Sequence, residues 1–162
     1  MEARVLFSDH GVAVAEAGPV CVAIWRGSVT RVRFQEQRAG LTEVVARHPR
    51  GAAFLCVIEA TANPPNDELR QASVQLVGLF GAGLKCVALV VEAVGFRGVA
   101  LRGAISAMVH LRRAPRPLLS VFSETPSAVR WMGEHVPLEN AEDVVSRVEE
   151  IRAVMPPRVE TF

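Results

Sequence analysis

The sequence lacks the features of an exported or membrane protein. Its longest apolar runs, "AAFLCVI" and "CVALVV", are far shorter than the roughly 18 to 20 residues that span a bilayer. The N-terminal "MEARVLFSDH" has no apolar stretch of the kind that a signal peptide carries. We therefore expect a soluble, non-exported protein in the cytoplasm, without stable insertion into a membrane.

Cysteine is scarce and carries no motif. Cys21, Cys56 and Cys86 each lie inside an apolar run, without CxxC spacing or a neighbouring histidine. Such isolated cysteines are typical of small buried hydrophobic residues rather than of disulfides or zinc ligands. The pattern predicts buried free thiols, which fits a reducing cytoplasm.

Signatures of enzymes and of metal sites are also absent. The four histidines, His10, His48, His110 and His135, are scattered over different elements without ligand spacing. No GxSxG, P-loop or GxGxxG motif occurs, and the glycines of "GLFGAGLK" end a predicted helix before a strand, the reverse of the dinucleotide-binding order. The sequence therefore predicts no metal, no cofactor and no identifiable catalytic constellation.

The net charge is close to neutral but is unevenly distributed. A formal charge of +1 gives no reason to expect nucleic acid as a partner. Between residues 93 and 123 all charged side chains are arginines, whereas the segment 134–150 carries six acids against Arg147 alone. We expect two faces of opposite sign, which are solvated or pair with each other within the domain.

The pattern that is present is that of one α/β domain. The chain has 162 residues, of which 50% are hydrophobic, enough for a core of normal size. Three leading strands, "RVLF", "GVAVAEA" and "VCVAIW", are followed by apolar strands at 53–58, 86–91 and 118–122 that alternate with helices. The alternation predicts a mixed, mainly parallel sheet flanked by helices, with an antiparallel portion at the start. We expect a single domain over 1–162, with its core at about 4–136 and a C-terminal helix at 138–155.

The helix boundaries follow from capping residues and prolines. One amphipathic helix is expected from Ser28 to Pro49, and it is either continuous or broken near Gly40. The next helix is expected to begin no earlier than about Pro65, because a residue before proline is disfavoured in helical geometry. Thr125 is the expected cap of the helix that starts with Pro126.

Polar residues that follow two central strands form the candidate functional site. Ligands of open parallel sheets bind at the carboxyl ends of the strands, where the loops and the helix N-termini gather. Two neighbouring carboxylates can have pKa values that move apart, which suits them to acid–base chemistry. A nearby guanidinium can equally neutralise both carboxylates and fix the loops. The candidate binding residues at this edge are Glu59, Thr61, Asn63, Asp67, Glu92 and Arg97.

The order of elements resembles a known family. The leading strands, followed by "AAFLCVIEATANPP", "KCVALVVE" and "LLSVFSETPSAVRWM", resemble the SpoIIAA-like fold of STAS domains over roughly residues 4–136. The resemblance implies a regulatory, protein-binding module, since the family includes anti-sigma factor antagonists. Switch members carry a phosphorylatable serine in an Asp-Ser-Ser/Thr-Gly type motif. Here "EATANPPND" offers Thr61 as the only hydroxyl and has no glycine, so Thr61 is the candidate phosphorylation site but a kinase-controlled switch is not expected.

Two functional hypotheses follow. The first is a non-catalytic, STAS-like interaction module whose protein partner contacts the strand–helix loop 59–68. The alternative is a small-molecule or lipid binder, with enzyme activity left open, that holds a small apolar ligand in a pocket near Glu59, Glu92 and Arg97; the same architecture is similar to the lipid-binding SEC14 type. A homodimer through the early strands, or through the basic segment against the acidic one, is also expected.

Overall fold

The structure, a computed structural model, describes residues 3–63, 65–95, 98–103, 105 and 117–157. The described helices and strands alternate after three leading strands. Their bounds are β1 (Arg4–Ser8), β2 (Val12–Ala17), β3 (Val20–Trp25), α1 (Arg31–Arg47), β4 (Ala52–Ile58), α2 (Asp67–Gly78), a short 3₁₀ turn (Gly81–Gly83), β5 (Leu84–Val91), α3 (98–103), β6 (Leu118–Phe122), α4 (Thr125–Met132) and α5 (Ala141–Val154).

All six strands form one sheet in chain order. β1, β2 and β3 are antiparallel neighbours, whereas β3, β4, β5 and β6 pair in parallel. The predicted α/β fold with a mixed, mainly parallel sheet is therefore confirmed. None of the described helices has the length and apolar character needed to cross a membrane.

Each face of the sheet is covered by its own helices. Because side chains alternate between the two faces of a strand, β2 to β5 contribute residues to two separate cores. One core packs the sheet against α1 and α2, and the other packs it against α4 and α5. The C-terminal helix presents a stripe of Val144, Val148 and Ile151, all of which are buried.

Two helix starts differ from the predictions. α1 begins at Arg31 rather than near Ser28, because Thr30 has an extended backbone and its hydroxyl accepts a hydrogen bond from the Arg33 amide. The helix then continues through Gly40 without a break. Thr125 is the first residue of α4 and not its cap; Glu124 occupies the cap position without a side-chain capping bond.

The three cysteines are free and buried, as the sequence predicts. They lie within the sheet strands β3, β4 and β5. Burial raises the pKa of Cys56 and of Cys86 to about 12 and also raises the pKa of Cys21. Thiols in such surroundings stay protonated at neutral pH and react slowly.

Gly40 lets α1 approach β2 closely. A Cβ atom at this buried position would lie 2.5 Å from Cγ1 of Val14, which is itself fully buried. Alanine normally stabilises a helix by about 1 kcal/mol relative to glycine, but overpacking a core costs about 1–3 kcal/mol. We therefore expect Gly40→Ala to lower the free energy of unfolding by about 1 kcal/mol, measured by urea denaturation.

The matched control is Gly78→Ala at the end of α2, where an added Cβ meets no atom within 4 Å. This variant should be as stable as the wild type or more stable. A Gly40→Ala protein that is no less stable than the wild type would show that α1 and β2 are less tightly packed than described.

Candidate functional site

The carboxyl ends of three parallel strands are level with one another. Trp25 at the end of β3 pairs with Ile58 of β4, which pairs with Val91 of β5. The ladder continues one step further, because the Glu59 amide donates to the Trp25 carbonyl (2.9 Å) and the Glu92 amide donates to the Ile58 carbonyl (3.0 Å). The residues that follow the three strands are therefore fixed in a row.

That row consists of Arg26, Glu59 and Glu92. Side chains two positions earlier on all three strands belong to the core beneath α4 and α5. Since strand side chains repeat every two residues, the row continues the face of the sheet that those helices cover. The sheet thus presents one positive and two negative groups to the C-terminal helix.

Arg152 of α5 joins the two carboxylates. Its Nη1 donates to Oε2 of Glu59 at 3.0 Å and also to Oε1 of Glu92, while its Nη2 donates to Oε2 of Glu92 at 2.8 Å. Arg26 Nε donates to Oε1 of Glu59 at 2.6 Å. We call these four residues the edge ion network; their side chains are only 13–27% exposed.

The network contains two acids and two bases, which cancel. The hydrogen bond to Glu92 is the main reason why the pKa of Arg152 is raised, and it outweighs the effect of partial burial. Every carboxylate oxygen of Glu59 and Glu92 accepts a bond from a guanidinium group. The arrangement therefore ties the ends of β3, β4 and β5 to α5.

The loop after β4 is fastened to the loop after β3. The Thr61 hydroxyl donates to the Arg26 carbonyl (2.8 Å), and the Asn63 side-chain amide donates to the Ser28 hydroxyl (3.0 Å). The Asn63 backbone amide donates to the Gly27 carbonyl (3.2 Å). Both Thr61 and Asn63 remain exposed on the outer side of this loop.

The remaining predicted residues lie apart from the network. Asp67 is the first residue of α2; its side chain is 92% exposed and lies 3.3 Å from Arg70. Asn66 caps this helix by accepting from the Leu69 amide. Arg97 lies outside the described residues.

A second charged cluster lies at the same edge, beside the turn between β1 and β2. Burial alone would raise the pKa of Asp9, but a hydrogen bond from Arg33 and those from the Gly11 and Val12 amides prevail and lower it. Arg33 Nη2 also lies 3.1 Å from Nε2 of His10. The cluster ties the start of α1 to the antiparallel part of the sheet.

Sequence reasoning missed Arg26 and Arg152. Arg26 directly follows β3, so the rule that identifies Glu59 and Glu92 at strand ends identifies Arg26 as well. No local signal identifies Arg152, because its partners are 60 and 93 residues away in the chain. Among the described residues, no group of three or more His, Cys, Asp or Glu side chains is arranged to hold a metal ion.

Comparisons of the chain with protein-family models, with curated proteins and with solved structures find no match.

Removing the Arg152 guanidinium should destabilise the fold. Arg152→Met leaves two poorly solvated carboxylates without their shared partner, and breaking a buried ion pair costs about 3–5 kcal/mol. Because the network is partly exposed, we expect a loss of about 2–3 kcal/mol in the free energy of unfolding, measured by urea denaturation. Arg130→Met, at an exposed position of α4 without an ion pair to any described residue, is the control. Equal stability of the two variants would contradict the bridging role.

The Asp9 cluster predicts a specific dependence of stability on pH. A carboxyl group whose pKa is lower in the folded state stabilises the protein above its unfolded pKa of about 3.9, and this contribution disappears as the pH falls through the folded value. Asp9→Asn should therefore be less stable than the wild type at pH 7, and the difference should shrink below about pH 4. Glu36→Gln, a change at a partly exposed position of α1, should show no such convergence. A constant difference across this range would refute the assignment.

Proposed function

We propose that this protein is a non-catalytic interaction module whose protein partner contacts the carboxyl edge of the parallel strands, including the loop 59–68. The observation that carries the proposal is the closed edge ion network, with exposed apolar side chains at the same edge of the sheet. The sequence resemblance to SpoIIAA-like modules, whose role is to bind other proteins, supports the same function.

The network argues against catalysis at this edge. A general acid or base must gain or lose a proton during the reaction. Glu59 and Glu92 are instead held by two guanidinium groups within the fold. The alternative function requires a ligand pocket beside the two carboxylates. Arg152 already occupies the position in which the polar part of such a ligand would bind, which disfavours this alternative.

Apolar side chains are exposed at the carboxyl edge of the sheet. Val94, just after β5, is 84% exposed; Val32 in the first turn of α1 is 69% exposed and Val99 in α3 is 64% exposed. A single exposed valine is ordinary. Several on one edge, next to a region whose charges cancel, favour a surface that a partner protein covers.

The loop between β4 and α2 is suited to binding because it is already ordered. Thr61 and Asn63 are each hydrogen bonded to the neighbouring loop, yet both are exposed. A partner that contacts them therefore pays little conformational entropy on binding. The Thr61 hydroxyl already donates to a main-chain carbonyl, so modification at this residue would also break a contact within the fold.

The proposal predicts that changes at this edge weaken partner binding and leave the fold intact. The variants are Val94→Asp and the double variant Thr61→Ala/Asn63→Ala, each used to capture partners from a lysate of the source cells. Exposed substitutions usually change stability by no more than about 0.5 kcal/mol, whereas an aspartate in an apolar contact should reduce capture at least about tenfold by quantitative mass spectrometry.

Val74→Asp on α2 is the matched control, because Val74 is 51% exposed but lies in the middle of that helix, away from the carboxyl edge. Partners retained by the wild type and by this control, but lost by the edge variants, would support the module. Identical sets for all four proteins, or marked unfolding of the edge variants by circular dichroism, would refute it.

A further inference from the structure

A cavity opens at the opposite edge of the sheet, at the amino ends of β3 and β4. Its volume is about 480 Å³, within the range of about 300–1,000 Å³ typical of small-molecule sites. It lies between the turn before β3, the segment that joins α1 to β4, and the segment that leads into α5. The lining residues are Gly18, Pro19, Arg47, His48, Pro49, Arg50, Gly51, Pro137, Leu138, Glu139 and Val144.

The walls of the cavity have little freedom to move. Three of the lining residues are prolines, and the Pro19 carbonyl accepts a hydrogen bond from the Ala53 amide at 2.9 Å. Gly51 has a φ of 127° and its amide donates to the His48 carbonyl at 3.0 Å. A site held in this way is formed before a ligand arrives, which reduces the entropic cost of binding.

The deep side of the cavity is apolar. Val144 of α5 is fully buried, and Leu138 packs against the same core. Leu138 is partly exposed and, together with the proline rings, offers a surface on which the apolar part of a ligand would lose contact with water.

The other wall is basic. Arg47 Nε and His48 Nε2 lie 3.4 Å and 3.3 Å from Oε2 of Glu16, whose side chain is only 9% exposed. Arg4 contacts the same carboxylate, so Glu16 already has three basic neighbours. Arg50 forms no ion pair with any residue that the structure describes.

From these features we propose that the cavity binds a small amphiphilic anion, in which an apolar chain or ring bears one carboxylate or phosphate. The anionic group lies against Arg47 and Arg50, and the apolar part lies against Leu138 and the proline rings. The site is separate from the carboxyl edge and does not depend on the interaction module proposed there. A free acid and a lipid headgroup share this chemistry.

The test is a titration of the ¹⁵N-labelled full chain with octanoate, followed by NMR shifts of the Gly18, Gly51 and Leu138 amides. Octanoate should cause saturable shifts there, whereas acetate, which lacks the chain, and 1-octanol, which lacks the charge, should bind at least about fivefold more weakly. Arg50→Gln should raise the Kd for octanoate about fivefold, as expected for the loss of one charge-assisted contact at an exposed site.

Two further variants make the result specific. Glu139→Gln removes the acid that lines the cavity and should lower the Kd or leave it unchanged, whereas Arg38→Gln on the exposed side of α1 should have no effect. Vesicles that contain phosphatidylserine, tested by co-sedimentation, distinguish the two sources of the anion. Binding to vesicles alone, abolished by Arg50→Gln, would identify a headgroup.

Three results would overturn the proposal. The first is the absence of saturable binding by octanoate, octyl phosphate and anionic vesicles. The second is equal affinity for octanoate and 1-octanol, which would indicate an apolar cleft without selection for charge. The third is a Kd for octanoate that Arg50→Gln leaves unchanged or that Glu139→Gln raises.

Discussion

The alignment of three strand ends is the constraint on which the rest of the carboxyl edge depends. The parallel register places Arg26, Glu59 and Glu92 side by side on the face that α5 covers. Two neighbouring carboxylates that are shielded from water repel each other unless a cation lies between them. Arg152 supplies that cation, so the position of the C-terminal helix is fixed by charge as well as by its apolar stripe.

The strength of this arrangement comes from its combination with apolar packing. An ion pair alone contributes little net stability, because both partners lose hydration. Val148 and Ile151 are buried against the sheet close to Arg152 in the chain, and their burial supplies the favourable free energy that brings the guanidinium to the edge. The network then selects one position of α5 along the strands, since a shift by one turn would remove Arg152 from Glu59 and leave Glu92 without its guanidinium partner.

The sequence was informative about the fold and about one half of the network. Short apolar runs bounded by turn residues predict the strands, because burial on both faces requires such runs. The rule that strand ends meet at one edge predicts where Glu59 and Glu92 lie; Arg97, the cation that the sequence suggests beside them, lies outside the described residues. Arg152 could not be predicted, since the direction and depth at which α5 docks depend on tertiary packing.

Thr125 shows that a helix start is also hard to predict from local sequence. A threonine directly before Pro126 can be either the cap of the helix or its first residue.

The distribution of charge between the two edges follows from the direction of the helices. α1 and α2 start at the carboxyl edge, and the positive end of the α2 dipole favours the acids Asp67 and Glu68 there. α5 runs the opposite way, so its acidic first turn lies at the amino edge and Arg152, in its last turn, reaches the carboxyl edge. At the amino edge, α1 ends with Arg47 next to His48. At the carboxyl edge, Glu59 and Glu92 are neutralised by the network. At the amino edge, Arg50 forms no ion pair with any residue that the structure describes. Under the two proposals, an anionic ligand therefore meets an unpaired guanidinium at the amino edge, whereas a protein partner meets neutralised strand ends and exposed valines at the carboxyl edge.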